Sequence, residues 1–267
     1  MRPVGIPIEV LATSVGAARL ALIGGADRIE LCENDAQGGT TPSAGTIETV
    51  LELAAPHGTP VHVMIRPRGG GFVFDRDEQA VMRRDIDTAI RLGANGLVLG
   101  VLTPDGDVDM VLLAQLVEAC AGRSATFHRA IDVARDIEVA AELVFELGCA
   151  RILTSGGAST AADGAPMLAR LVANAPDGRI VMAGGGITAQ TARALVADTL
   201  VPEIHVSARG FRTTGASPSP AGMLGVTAGP NPDWPTNGWP APDIEHLARI
   251  RESLVDVAPS GRFGGAA

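Results

Sequence analysis

The sequence predicts an α/β protein: an eight-stranded parallel (β/α)8 TIM barrel, forming one domain over residues 1–267. Three observations lead there. Apolar runs of strand length recur eight times, at 6–12, 27–33, 60–67, 96–102, 125–131, 151–157, 179–186 and 203–209, with segments of helical periodicity between them. Glycine stands where helices should stop, in Ile23-Gly24-Gly25-Ala26, Leu92-Gly93-Ala94-Asn95 and Leu147-Gly148-Cys149-Ala150, because it tolerates the left-handed residue that closes a helix. Finally, 267 residues is about the length of one closed barrel.

Strands that alternate with single helices imply right-handed parallel crossovers, and eight such units close most economically into a barrel. An open doubly wound sheet is the alternative. The first strand-to-helix turn, Leu11-Ala12-Thr13-Ser14-Val15-Gly16, carries no GxGxxG phosphate loop and so weakens it. In a parallel barrel both faces of each strand are buried, so an ionisable residue within a strand must be paired or used. The first strand holds Glu9. In the second, Ile29 and Leu31 alternate with Arg28, Glu30 and Cys32; in the third, Val61, Val63 and Ile65 alternate with His62, Met64 and Arg66. The apolar set suits the helices, and the polar set then points into the barrel. A helix follows at 77–92. The same reading points Thr126 and His128 of the fifth strand, Thr154 of the sixth, and His205 and Ser207 of the eighth toward one axis, with Glu30, Arg66 and His128 nearest the C-terminal face.

Two glycine-rich turns follow late strands: Thr154-Ser155-Gly156-Gly157, and Gly184-Gly185-Gly186 ahead of a helix opening at Thr188. Their N–H groups, with the helix dipole and Arg209, form a candidate phosphate or carboxylate site. The segment 210–242 breaks the pattern, being rich in Gly, Pro, Ser and Thr. It should leave the barrel on the site's face, with Trp234 and Trp239 free to pack over the site or against another subunit of a homo-oligomer. A helix is expected at 243–255 and a loose tail at 259–267.

Composition narrows the partners. With 46% hydrophobic and 19% charged residues, 33 Gly and 18 Pro, the chain has the make-up of an α/β protein. Aromatics are scarce, with 2 Trp, 6 Phe and no Tyr. The formal charge of −9 and the lack of a basic cluster argue against nucleic acid and anionic membranes, and no apolar run is long enough to span a bilayer. The N-terminus lacks the apolar core of a secretory signal, so a cytoplasmic protein is expected. Cys32, Cys120 and Cys149 are widely spaced, which fits reduced thiols better than a disulfide framework or a zinc module.

Taken by their chemistry, Glu30 and His128 would exchange protons and Arg66 would clamp an anion, with Glu9, His62 and His205 in support. Such a site suits a lyase or isomerase acting on a small anionic or phosphorylated metabolite. Glu9, Glu30 and the histidines could equally hold a divalent metal ion for a metal-assisted hydrolase or isomerase.

Over residues 8–209 the sequence resembles the CutC family. The matching stretches are Gly24-Gly25-Ala26-Asp27-Arg28-Ile29-Glu30-Leu31-Cys32, Gly38-Gly39-Thr40-Thr41-Pro42-Ser43-Ala44-Gly45, Val61-His62-Val63-Met64-Ile65-Arg66-Pro67-Arg68-Gly69-Gly70, Thr126-Phe127-His128-Arg129-Ala130, Ile152-Leu153-Thr154-Ser155-Gly156-Gly157, and His205 with Ser207-Ala208-Arg209. The resemblance implies a (β/α)8 barrel and a copper homeostasis protein that binds Cu(I) through cysteine, with Cys32 as the carried-over ligand. The chain departs from the family where Val10 follows Glu9, a position at which family members often carry cysteine. The region after Gly210 departs as well.

Overall fold

In the computed structural model, which describes residues 5–213 and 238–257, eight parallel strands close into a barrel. They are β1 (Ile8–Ala12), β2 (Arg28–Leu31), β3 (Val61–Met64), β4 (Gly96–Leu99), β5 (Ser124–Phe127), β6 (Arg151–Thr154), β7 (Ile180–Gly184) and β8 (Glu203–Val206). The order is sequential, and β1 pairs with β8 to close the ring. Each strand is shorter than its apolar run, because the residues beyond it leave the ladder to shape the mouth. Glu33 bridges to Thr40 and Leu102 to Val108 across the connecting loops.

The helices are α1 (Val15–Ile23), α2 (Ala44–Ala54), α3 (Arg76–Leu92), α4 (Met110–Ala119), α5 (Ile137–Glu146), α6 (Ala165–Asn174), α7 (Ala189–Thr199) and α8 (Ile244–Ser253). Local chemistry sets their ends. Asp75 caps α3 in a reciprocal box with Glu78, and Gly93 ends it at φ +103°. Gly148 after α5 has φ +98°, whereas α1 turns at Gly25, φ +78°, and not at Gly24. The main core lies between strands and helices, where Ile8, Ile29, Leu31, Val61, Val63 and Leu97 are buried with helix residues such as Met82, Ile86 and Leu116. A small separate apolar cluster of Cys32, Met64 and Val98, joined by Leu11, lies inside the barrel.

The segment after β8 contains more structure than its composition suggests. β9 (Arg209–Thr213) and β10 (Gly238–Pro242) form an antiparallel ribbon beside α1 and β1. Trp234 and the expected tail at 259–267 lie outside the described residues. No helix among the described residues is long and apolar enough to cross a membrane.

Candidate active site

Alternation along the strands sends the polar set inward, and its lowest layer is an ion network. Arg28 donates from Nε to Glu9 at 2.5 Å and from Nη2 to Glu203 at 2.6 Å; Arg151 donates from Nε to the same Glu203 oxygen at 2.7 Å. Every charge here is buried and paired. Burial alone would favour the neutral acids, but Arg28 and the other neighbours outweigh it, holding Glu9 well below the usual carboxylate range and lowering Glu203 as well. Arg151 and Glu203 carried no role in the sequence reading. Their signal was available, since each is a charged residue opening a strand whose inward parity it shares.

One layer higher, β1 and β8 bring Glu9 and His205 together, with Nδ1 2.8 Å from Glu9 Oε1. The opposite ring nitrogen lies 3.7 Å from Glu30 Oε2. Burial works against protonating His205, yet Glu30 and Glu9 raise its pKa above the ordinary histidine value. Burial also pushes Glu30 up, assisted by the charge of Glu9 and opposed by His205 and Arg28, to about 7. Glu30 Oε1 is buried and meets no hydrogen-bond partner.

Glu30 and His205 line a cavity of about 490 Å³ that also touches Cys32, Met64, Arg66 and His128. Three of the expected residues, Glu30, Arg66 and His128, therefore share one cleft, but two of them are set up differently from the expectation. Arg66 braces loops: Nη1 donates to the carbonyls of Gln37 and Gly39 at 2.8 and 3.0 Å, and Nη2 to that of Gly70 at 2.6 Å. Loop carbonyls thus take three of its five N–H donors, and Nε is the one nitrogen without a partner. In His128, Nδ1 accepts the Ala130 N–H at 3.1 Å, which places the proton of the neutral ring on Nε2. Burial and the charge of Arg66 lower its pKa to about 3, which favours the neutral ring. His62 is also held neutral, at about 3, chiefly by burial and then by Arg28. It lies against the backbone at Gly96, where an added Cβ would come within 2.6 Å of Nε2.

The two glycine turns differ. Residues 154–157 already surround an anion, the Asp132 carboxylate, which accepts from Ser155 N at 3.0 Å, Gly157 N at 3.1 Å and Thr154 Oγ1 at 2.5 Å. Gly156 N donates to Thr154 Oγ1 instead. Thr154 also falls out of the expected register: Leu153 lines the cavity, and Thr154 faces the opposite way. Of the second turn, Gly185 and Gly186 line the cavity with φ of +114° and +65°, conformations that favour glycine. An added Cβ on Gly184 would come within 2.5 Å of Leu153 Cδ1. Arg129 lies beside Gly185, held by Asp132 at 2.7 Å and Ser155 at 2.8 Å. Ser207 and Arg209 reach the rim, Arg209 paired with Asp35 at 2.9 Å.

Two groups of side chains carry metal-ligand chemistry. Glu9, Glu30 and His205 offer ligand atoms within 4.8 Å of one another, the only such group among the described residues. Glu9 is already paired with Arg28 and His205, so a divalent ion would have to displace an ion pair and sit beside a guanidinium. For Cu(I), Cys32 Sγ and Met64 Cε both approach Gly39. Burial and the carboxylates of Glu30, Asp35 and Glu33 push the Cys32 thiol well above its usual value, which disfavours the thiolate that copper needs. Cys120 and Cys149 belong to the outer core.

The family model of CutC matches residues 6–210 and so ends where the ribbon begins. A CutC family protein of Agrobacterium fabrum is 47% identical over 207 residues, which is 78% of this chain and 81% of that one. Another, from Bacteroides thetaiotaomicron, is 45% identical over 201 residues, 75% of this chain and 80% of its own. The solved structure of CutC from Streptococcus agalactiae, named for copper homeostasis, superposes with a TM-score of 0.72 at 34% identity, covering 76% of this chain and 98% of that one.

Proposed function

The chain belongs to the CutC family, and we propose that it is an enzyme that transfers a proton to or from a small anionic metabolite held in the mouth of its barrel. One observation carries the reading. Glu30 presents a buried oxygen without a partner beside an open cavity, and its other oxygen faces a histidine that is itself held by a carboxylate. A carboxyl group poised near neutrality is suited to both accept and return a proton. Gly185 and Gly186, ahead of α7, are suited to the anionic end of the substrate, with Arg129 beside them.

The test is to incubate the full chain with a pool of small carboxylated and phosphorylated metabolites and follow the mixture by proton and phosphorus NMR. One component should be converted by the parent protein and left intact by Glu30→Gln. A pool unchanged by the parent, or changed equally by the variant, would contradict the reading.

A second reading rests on Cys32 and Met64 packing in one small cluster beside Gly39. In it the barrel carries Cu(I) as cargo on one sulfur of each kind, as the name of the Streptococcus agalactiae protein suggests. Two soft donors, one of them a thiol held protonated, favour weak binding. A competitive titration should show copper lost to a strong Cu(I) chelator, and tight stoichiometric binding that Cys32→Ser abolishes would favour this reading over the first.

A further inference from the structure

The proton-transfer reading leaves two buried N–H groups unexplained. His128 is 4% exposed and Arg66 is 5% exposed, and both line the cavity that holds Glu30. Among their polar atoms, His128 Nε2 and Arg66 Nε meet no partner. Both are obligate donors as they stand. The Ala130 N–H fixes the histidine proton on Nε2, and the three loop carbonyls fix the guanidinium, leaving Nε as its one nitrogen with no partner. Phe72 orders the pair, with the Arg66 guanidinium 4.9 Å over its ring and the His128 ring centroid 5.1 Å away. An unmade buried hydrogen bond is a standing cost, so two on residues that line one cavity point to an acceptor that the substrate supplies.

Resting on the proposed function, we infer that His128 and Arg66 form an oxyanion pocket, and that the substrate is a carbonyl compound that Glu30 enolises. The carbonyl oxygen accepts from His128 Nε2–H and Arg66 Nε–H. The Glu30 carboxylate takes a proton from the adjacent carbon, the C–H electron pair becomes the C=C bond, and the carbonyl π pair moves onto oxygen as an enolate held by the two donors. Glu30 then returns the proton to the same carbon or, when the substrate is a hydroxycarbonyl compound, to the former carbonyl carbon as the hydroxyl proton passes to the enolate oxygen, so no oxidant or co-reactant is needed. A neutral imidazole suits this role, because it donates without surrendering its proton to the enolate. The substrate class is therefore a 2-oxo acid or a hydroxycarbonyl compound with an anionic end.

Oxalate, a planar mimic of an enolised 2-oxo acid, is the probe, and malonate, which cannot stay planar, is the control. In the 15N-labelled full chain, oxalate should shift both the His128 Nε2–H and the Arg66 Nε–H resonances, and should bind about ten-fold or more tighter than malonate. His128→Phe should lose that preference and His128→Gln should recover part of it. Oxalate that binds without moving either resonance, binds no better than malonate, or fails to bind at about 10 mM overturns the inference. None of these results alters a Glu30-dependent conversion in the metabolite pool. Loss of that dependence overturns the parent reading whatever oxalate does.

Discussion

The floor and the mouth of this barrel are built from the same residue types to opposite effect. At the floor, Arg28 and Arg151 share Glu203, Arg28 also holds Glu9, and each acidic partner is met by a cation at 2.5–2.7 Å. At the mouth, Glu30, His128 and Arg66 each keep a buried polar atom with no partner. Charges that are fully paired fill the barrel and fix its register. Polar atoms left unpaired at comparable burial are a standing cost that binding would offset. The two glycine turns repeat the contrast, since one is closed on Asp132 and the other opens on the cavity.

The sharpest way to break the comparison is at the floor. Arg28→Leu leaves two buried carboxylates short of a partner and should destabilise the chain by about 3–5 kcal/mol in urea unfolding. A cost below about 1 kcal/mol would show that the floor is not held by this network.

That layer also shows how far the sequence could be read. Strand parity, applied to Glu9, Glu30, His62, Arg66, His128 and His205, brought the right side chains inside, because a period of two leaves only two faces. It failed at Thr154, because the inward parity of that strand is set by Arg151, to which the reading gave no role. Residue type could not tell that Arg66 is occupied by loop carbonyls, since those carbonyls come from residues 37, 39 and 70. The β6 turn misled for a similar reason: its internal anion, Asp132, comes from the loop after β5, over 20 residues earlier. The ribbon of β9 and β10 joins segments about 25 residues apart, without the periodicity that marks the barrel strands.

A second test concerns that closed turn. Asp132→Ala strips the acceptor from two main-chain N–H groups and two hydroxyls, and should cost about 2–4 kcal/mol. Inorganic phosphate should then raise the melting temperature of the variant more than that of the parent, because the emptied turn would accept an external anion. Equal shifts would show that the turn does not bind anions.

The mouth should respond in the opposite sense. The folded-state pKa of Glu30 lies above its unfolded value, so folding favours the protonated form and stability is lost as pH rises from about 4.5 through about 7. Glu30→Gln removes that loss and should stabilise the chain by roughly 1–3 kcal/mol above pH 7, with little change below pH 4.5. A variant destabilised across the whole range would place Glu30 with the floor.

The most direct measurement is the titration of Glu30 itself, read from the 13C shift of its side-chain carboxyl carbon in the full chain, with Glu30→Gln used to assign the resonance. The midpoint should fall at about 7, set by burial and by the charge of Glu9 against His205 and Arg28. A midpoint at the ordinary carboxylate value of 4.5 would contradict it, leaving Glu30 a plain ionised partner of His205 and the mouth without its acid–base group.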